Sequence, residues 1–353
     1  MKSGALPMSD TELMQLLAQC NTDTPTLFVI DENTAELPAF NPSDVQILSN
    51  RFDIHEAAQQ RHLISTFSDF KFDKARYGDI RQVCYRVSKE KRVVEHVCQS
   101  AWNLLPIDGV LLIAGYKNDG IKTFAKRISE SFNCESQLER GHAHLHFYRF
   151  KKATNQFTPL SLDDYHAMRE IGTWQNCSIY SKPGVFAWDR FDEGSQLLLQ
   201  QLPDFLAQSD ITRQSGLDLG CGNGLLAIAL LQSGCGQVVA TDNNAAAIRA
   251  CEYNIQLNSF GNRAQVIAGN CGDTLKQKFE LIVCNPPFHK GFDVEHDLTT
   301  RFLQATHQLL KQRGRALFVV NSFIPLERKA KPIFSRIETL ADNQQFKLIS
   351  LWS

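Results

Sequence analysis

Asn285-Pro286-Pro287-Phe288 follows directly on the apolar run Leu281–Cys284. An asparagine oxygen beside a proline carbonyl offers two hydrogen-bond acceptors to one planar NH2 group. Such a pair can take both N–H hydrogens, draw the lone pair out of conjugation and favour a pyramidal, nucleophilic nitrogen. Pro287 stiffens the loop and brings no competing donor. Phe288 can stack on a base at about 1–3 kcal/mol, comparable with the few kcal/mol needed to extrude one from a helix. His289 stands next to it, although no strong general base is required if the proton leaves after the amine has become cationic. A rigid strand-to-helix turn would use the same Asn-Pro-Pro triplet with no chemistry attached.

The second chemical feature lies upstream, in Asp218-Leu219-Gly220-Cys221-Gly222-Asn223-Gly224. Gly220, Gly222 and Gly224 sit between a strand-like and a helix-like run, where the lack of Cβ atoms lets backbone turn sharply and approach a ligand. Such a loop can pack against the amino-acid part of S-adenosylmethionine, with Asp218 facing its ammonium. Glycine turns of this kind also bind dinucleotides. Asp242 closes the next strand, where a carboxylate can accept both hydroxyls of a ribose. Asn243 beside it is a candidate cofactor contact, and Asn243 or Asn244 can cap the helix that follows. Asn270, just past the third strand, can meet an adenine amine or simply stabilise a turn with Gly269.

These groups need a scaffold that ends several strands at one edge, and the C-terminal half has its pattern. Strands are expected at Gly216–Leu219, Gln237–Thr241, Gln265–Ala268, Phe279–Cys284 and Ala316–Val320. Helices at Leu225–Leu231, Ala245–Ile255 and Leu298–Leu310 alternate with them, as a doubly wound parallel sheet requires. Ile333–Leu340 and Phe346–Trp352, joined at Asp342-Asn343, read as an antiparallel hairpin on one sheet edge. The N-terminal half repeats part of this: β-prone Asp79–Val87, a loop at Ser88–Arg92, a helix with Val94, Val97, Ala101 and Leu104, then the strand Val110–Ala114. A duplicated α/β domain is the expectation. In the first copy no strand runs into an Asp-x-Gly-x-Gly-x-Gly turn, and Tyr85-Arg86-Val87-Ser88 stands where Asn285–Phe288 would. That copy is expected to be catalytically dead. The boundaries read as residues 1–165 and 170–353, with a polar linker over Thr158–Gly172 and a strand-like entry at Trp174–Tyr180.

At 353 residues the chain exceeds the roughly 250–300 at which one core stops growing. With 43% apolar residues it can fill two. A net charge of -1 excludes a bulk polyanion binder, so nucleic-acid contact must come from local patches. Three small clusters qualify: Arg149, Lys151 and Lys152; Lys89, Lys91 and Arg92; and Arg328, Lys329 and Lys331. Ten cysteines with no CxxC pair suit a reducing cytosol. Met1–Asp10 lacks an apolar leader and no run approaches the ~18 apolar residues of a span, so a soluble, cytoplasmic protein is expected, with no membrane partner. His142, His144 and His146 alternate as on one strand face, a zinc-compatible spacing, but lack Cys or acidic partners. A solvated face is the better reading, and no metal is expected.

With Pro183-Gly184-Val185-Phe186 and Gly194-Ser195-Gln196-Leu197-Leu198-Leu199, these motifs make the chain resemble the guanine-N2 rRNA methyltransferases, and among them those of the small subunit. The resemblance covers the whole chain, with weaker likeness at Leu111–Gly115 and Lys89-Glu90-Lys91. It implies two tandem Rossmann-like class I methyltransferase domains, the first degenerate and serving folding support and RNA docking. It further implies S-adenosyl-L-methionine as cofactor, 16S rRNA of the small ribosomal subunit as partner, and transfer to a guanine N2. Asp218, Gly220, Gly222, Gly224 and Asp242 map onto its cofactor positions, Asn285–Phe288 onto its amine loop, and Phe186 onto the segment that covers the cleft. The family's Phe-Ser-Arg-x-x-Leu-Asp reads here Phe186-Ala187-Trp188-Asp189-Arg190-Phe191-Asp192, which keeps Phe186 and Asp192 but shifts the arginine. The sister enzymes of 23S rRNA share both main motifs. Glutamine methylation of a release factor, adenine-N6 methylation of DNA and a non-enzymatic ribosome-assembly factor also stay open.

Overall fold

The computed structural model describes residues 16, 24–32, 37, 45–140, 144–208, 210–287 and 292–353. They divide into two compact units, Met1–Ala167 and Met168–Ser353. In the first, β1 (Thr26–Ile30), β2 (Val45–Ser49), β3 (Ile64–Phe67), β4 (Gln82–Arg86), β5 (Val110–Gly115), β6 (Ser136–Arg140) and β7 (His146–Lys151) make one sheet. In the second, a hairpin of β8 (Arg169–Trp174) and β9 (Cys177–Ser181) precedes a sheet of seven further strands. These are β10 (Ser215–Leu219), β11 (Gln237–Asp242), β12 (Ala264–Ala268), β13 (Phe279–Cys284), β14 (Leu310–Asn321), β15 (Arg336–Asp342) and β16 (Phe346–Trp352).

The two large sheets have one topology: β3-β2-β1-β4-β5-β7-β6 and β12-β11-β10-β13-β14-β16-β15. Each is parallel but for its last two strands, which form an antiparallel edge. Both faces of each sheet are covered, so the inner strands are buried along their length, as the apolar runs foretold. In the second unit, helices Glu193–Gln208, Leu225–Gln232 and Ala245–Leu257 pack on the face of Val283 and Leu317. The helix Phe292–Leu309 packs with Phe302 and Leu303 on the opposite face, that of Ile282 and Phe318.

The shared topology lets positions be matched residue by residue. Ser49 accepts from Ser68 N through its carbonyl (3.0 Å) and from Arg51 N through Oγ (3.0 Å). Asp242 accepts from Gly269 N through its carbonyl (3.0 Å) and from Asn244 N through Oδ1 (2.9 Å). Ser49 therefore stands where the second unit has Asp242. Strand register then puts Ile30 level with Gly220, Phe28 with Asp218, Cys84 with Val283 and Arg86 with Asn285. The expected match of Tyr85 to Asn285 is thus one residue out of frame, because sequence alone could not show where β4 ends. Arg86 is buried, paired with Asp119 at 2.9 Å, and donates to the Val87 carbonyl.

Several expectations need correction. Leu160 and Tyr165 are buried in the first core and Arg169 begins β8, so parts of Thr158–Gly172 are packed, while the boundary between the two units, after Ala167, falls inside it. Of the three histidines, His142 lies outside the described residues. His144 is exposed at φ 65°, ahead of the strand, and His146 is buried. They share no solvated strand face. Lys152 is buried too: its Nζ donates to the Trp102 and Leu105 carbonyls at 2.7 Å each, closing the C-terminus of the helix Lys91–Leu104. It is not a phosphate ligand. Lys151 pairs with Asp108 and Arg92 with Asp163, at 2.9 and 2.7 Å. Among the described residues no helix is long and apolar enough to cross a membrane, and no cluster of His, Cys, Asp or Glu could hold a metal ion.

Candidate active site

β10, β11 and β13 are neighbours, so their C-terminal ends bring the glycine loop, Asp242 and Asn285 to one edge. Gly220 and Cys221 donate backbone N–H to the Thr241 carbonyl at 2.9 and 3.0 Å, which folds the loop back across β11. Gly220, Gly222 and Gly224 take φ of 84°, 53° and 83°, the left-handed region that glycine enters without a Cβ penalty. A Cβ on Gly224 would stand 2.6 Å from Cys251 Sγ, whereas one on Gly222 would meet nothing within 4 Å. The loop is thus pressed onto the helix Ala245–Leu257 at one end and faces open space at its centre.

Asp242 ties this loop: its Oδ2 accepts from Gly222 N at 2.9 Å while Oδ1 holds Asn244 N. Burial raises its carboxyl above the ordinary range, against the pull of backbone N–H groups from Gly222, Asn244 and Asn243. Asn244, not Asn243, caps the helix, accepting from Ala246 N at 2.8 Å, and its Nδ2 reaches the Gly184 carbonyl at 3.0 Å. Asp218 is completely buried. Its Oδ2 accepts from Ala227 N at 2.8 Å, but its Oδ1 has no partner. Burial, reinforced by the Asp242 charge, pushes its carboxyl up to about 7. Asn270 N donates to Asp273 Oδ1 at 2.8 Å, so the turn at this position is real whatever else its side chain does.

Asn285 stands at the end of β13, and its Nδ2 donates to Asp192 Oδ2 at 2.6 Å and to Ser195 Oγ at 2.9 Å. Both amide hydrogens are taken from one side, which leaves Oδ1 as the group available to an incoming donor. Pro286 and Pro287 follow it; Phe288 and His289 lie outside the described residues. Phe186 is 56% exposed, on a turn whose Val185 is buried against Ala246 and Ala250. The nearby thiols are inert: burial holds Cys284 far up, and a hydrogen bond to Cys251 together with burial does the same for Cys221.

Two contributions escaped sequence reasoning. Asp192 and Ser195 were noticed only as family letters, and nothing in their spacing from Asn285 foretells contact. Asn254 is wholly buried, takes Tyr180 N on its Oδ1 at 2.8 Å, and donates to the carbonyls of Tyr180 and Asn223 at 2.7 and 2.8 Å. It fastens β9 and the glycine loop to one helix. Its signal was legible: a lone amide on the apolar face formed by Ala247, Ala250 and Cys251.

A model of the methyltransferase small domain matches residues 176–350. The chain is 31% identical over 253 residues to a ribosomal RNA small subunit methyltransferase C of Shewanella amazonensis, covering 70% of each chain. Its identity to a protein of the same name from a Marinomonas species is 27%, again with 70% coverage of both. In fold it is similar to a 16S rRNA N2 methyltransferase of T. thermophilus solved with AdoMet and guanosine: TM-score 0.81, 20% identity, 100% of this chain and 94% of that one.

Proposed function

The chain belongs to the ribosomal RNA small subunit methyltransferase C family, and from that premise we propose that it transfers a methyl group from S-adenosylmethionine to the exocyclic N2 of a guanine in 16S rRNA. The observation that carries this reading is Asn285, whose amide hydrogens are both engaged so that its oxygen is offered beside the glycine loop. The residues of that loop fit the cofactor. Asp218 keeps a buried oxygen with no partner, suited to an ammonium, and a Cβ on Gly222 would meet none of the described residues within 4 Å. Gly220, Gly222 and Gly224 would line the amino-acid part, Asp242 with Asn243 the ribose, and Asn270 the adenine. The bound cofactor supplies an electrophilic sulfonium methyl.

The chain's own residues do the rest. Asn285 Oδ1 and the Pro286 carbonyl take the two N–H hydrogens of the guanine amine, localising its lone pair. Phe186 covers the cleft, and Phe288 and His289, next in the sequence after Pro287, are the proposed contacts to the base. With both N–H groups of Asn285 engaged, the amide offers the substrate an acceptor, which suits an amine and not a carbonyl. An assembly factor without activity would have no use for a buried, half-paired Asp218. Release-factor methylation fits poorly with the seven-stranded sheet of the first unit. That unit carries Phe28, Ile30, Ser49 and Arg86 in place of the four site residues, so its proposed roles are folding support and RNA docking. With ribosomal subunits as its substrate, the proposed site of action is the cytoplasm.

The test is tritiated S-adenosylmethionine incubated with small subunits, large subunits, release factor and DNA in parallel, with Asn285→Ala as control. Label confined to small-subunit RNA and lost in the variant is expected. Label elsewhere, or undiminished in Asn285→Ala, refutes the reading.

A further inference from the structure

We propose that Asp192 is a positioning residue that selects the acceptor end of Asn285 and so makes the site specific for an amine; this rests on the methyl-transfer reading above. An asparagine amide has nearly the same shape after a half-turn, but the turn exchanges an acceptor for two donors. With NH2 outward it would oppose the NH2 of guanine, donor against donor. Asp192 forbids that orientation, since an ionised carboxylate only accepts and must face nitrogen. Its Oδ2 lies 2.6 Å from Asn285 Nδ2, and Ser195 Oγ takes the second hydrogen at 2.9 Å.

The elements that hold Asp192 are rigid. It caps the helix Glu193–Gln208: Oδ2 accepts from Ser195 N at 2.9 Å and its carbonyl from Gln196 N at 3.0 Å. Leu198, Leu199 and Leu202 of that helix are buried in the core. Gly194 leaves room for the carboxylate, since a Cβ there would stand 3.1 Å from Asp192 Oδ2 and 3.3 Å from the Phe346 ring. The Asp-x-Gly-Ser run is therefore one device: a carboxylate, the space it needs and a second acceptor.

Helix capping alone would also explain Asp192, and two variants separate the roles. Asp192→Ser keeps a good cap but ends short of Asn285, while Asp192→Asn offers an amide oxygen to both. With small subunits and S-adenosylmethionine, Asp192→Ser is expected to lower kcat about 10- to 100-fold, the loss of one charge-assisted hydrogen bond. Its KM, its affinity for S-adenosylhomocysteine and its melting temperature should stay near wild type, and Asp192→Asn should recover kcat to within a few-fold. Wild-type kcat in Asp192→Ser, or a loss of kcat matched by lost cofactor affinity and stability, overturns the inference while leaving the function reading intact. Absence of transfer by the wild-type protein overturns that reading, and this inference with it.

Discussion

Removing the charge of Asp218 should stabilise the protein without ligand and weaken its grip on the cofactor. The carboxyl is fully buried with one oxygen unpartnered, and burial moves it from an ordinary 3.8 to about 7. Between those values the folded chain holds a proton that the unfolded chain has released. The stability due to this group is therefore complete below about pH 4, declines as pH rises and is lost above about 7. A separation of about three pH units at about 1.36 kcal/mol each is a cost of roughly 4 kcal/mol at pH 8. Asp218→Asn keeps an acceptor for Ala227 N and removes the charge, but buries an unmatched donor worth about 1–3 kcal/mol. A net gain of about 1–3 kcal/mol at pH 8, reversing to a loss of about 1–2 kcal/mol by pH 4, is expected in melting experiments. Ligand binding runs the other way. The cofactor ammonium needs the ionised carboxylate, so wild-type affinity for S-adenosylhomocysteine should strengthen up to about tenfold per unit as pH rises towards about 7, then level off. Titration calorimetry from pH 5.5 to 8.5, comparing wild type with Asp218→Asn, cancels contributions shared by both. Parallel affinity profiles for the two proteins would refute the reasoning.

Gly224→Ala forces a Cβ to 2.6 Å from Cys251 Sγ at φ 83°. The conformation costs about 1–2 kcal/mol and the overpacking about 1–3, so denaturant unfolding should show a loss of about 2–5 kcal/mol. Adding Cys251→Ala should return part of it, and strictly additive losses would contradict the contact. Asp242→Asn leaves one acceptor where two are used, by Gly222 N and Asn244 N, and should weaken S-adenosylhomocysteine binding about tenfold, as read by calorimetry. Arg86→Met strands the buried Asp119 carboxylate and should cost about 3–5 kcal/mol in urea unfolding. The Arg86→Met, Asp119→Leu double variant should recover most of that, and failure to recover would show that the pair is not the source.

What could be read from the chain was what repeats locally. Phe279–Cys284 coincides with β13 residue for residue, and the Asp342-Asn343 turn leads into β16, because short apolar runs between polar turns carry their own boundaries. What could not be read depends on contacts distant in sequence. Asp192 meets Asn285 across 93 positions and Lys152 meets Trp102 across 50, and neither meeting leaves a trace in spacing. His146 looked solvated because period-two alternation says which residues share a face, not which face meets the core. Thr158–Gly172 is polar overall and contains the boundary between the units after Ala167, yet Leu160 and Tyr165 anchor part of it in ways spacing does not show, Tyr165 donating to Asp69 at 2.7 Å.

The two sheets bear on why the site residues are there at all. They share a strand order, so the same backbone can be completed with either set of side chains, and folding has no need of the set that carries chemistry. At the position of Asp218 the first unit has Phe28, fully buried in an apolar cluster, which gains apolar burial where the second unit loses carboxylate hydration. At the position of Asn285 it has Arg86, whose charge is neutralised by Asp119 and whose guanidinium lies 5.6 Å from the Tyr116 ring centroid. At Asp242 it has Ser49, which keeps the bond to the backbone N–H two residues on and drops the charge. An unpaired buried oxygen on Asp218 is disfavoured by solvation and by the neighbouring Asp242, and on the proposed reading its presence in only one of two equivalent sheets is accounted for by a ligand that completes it.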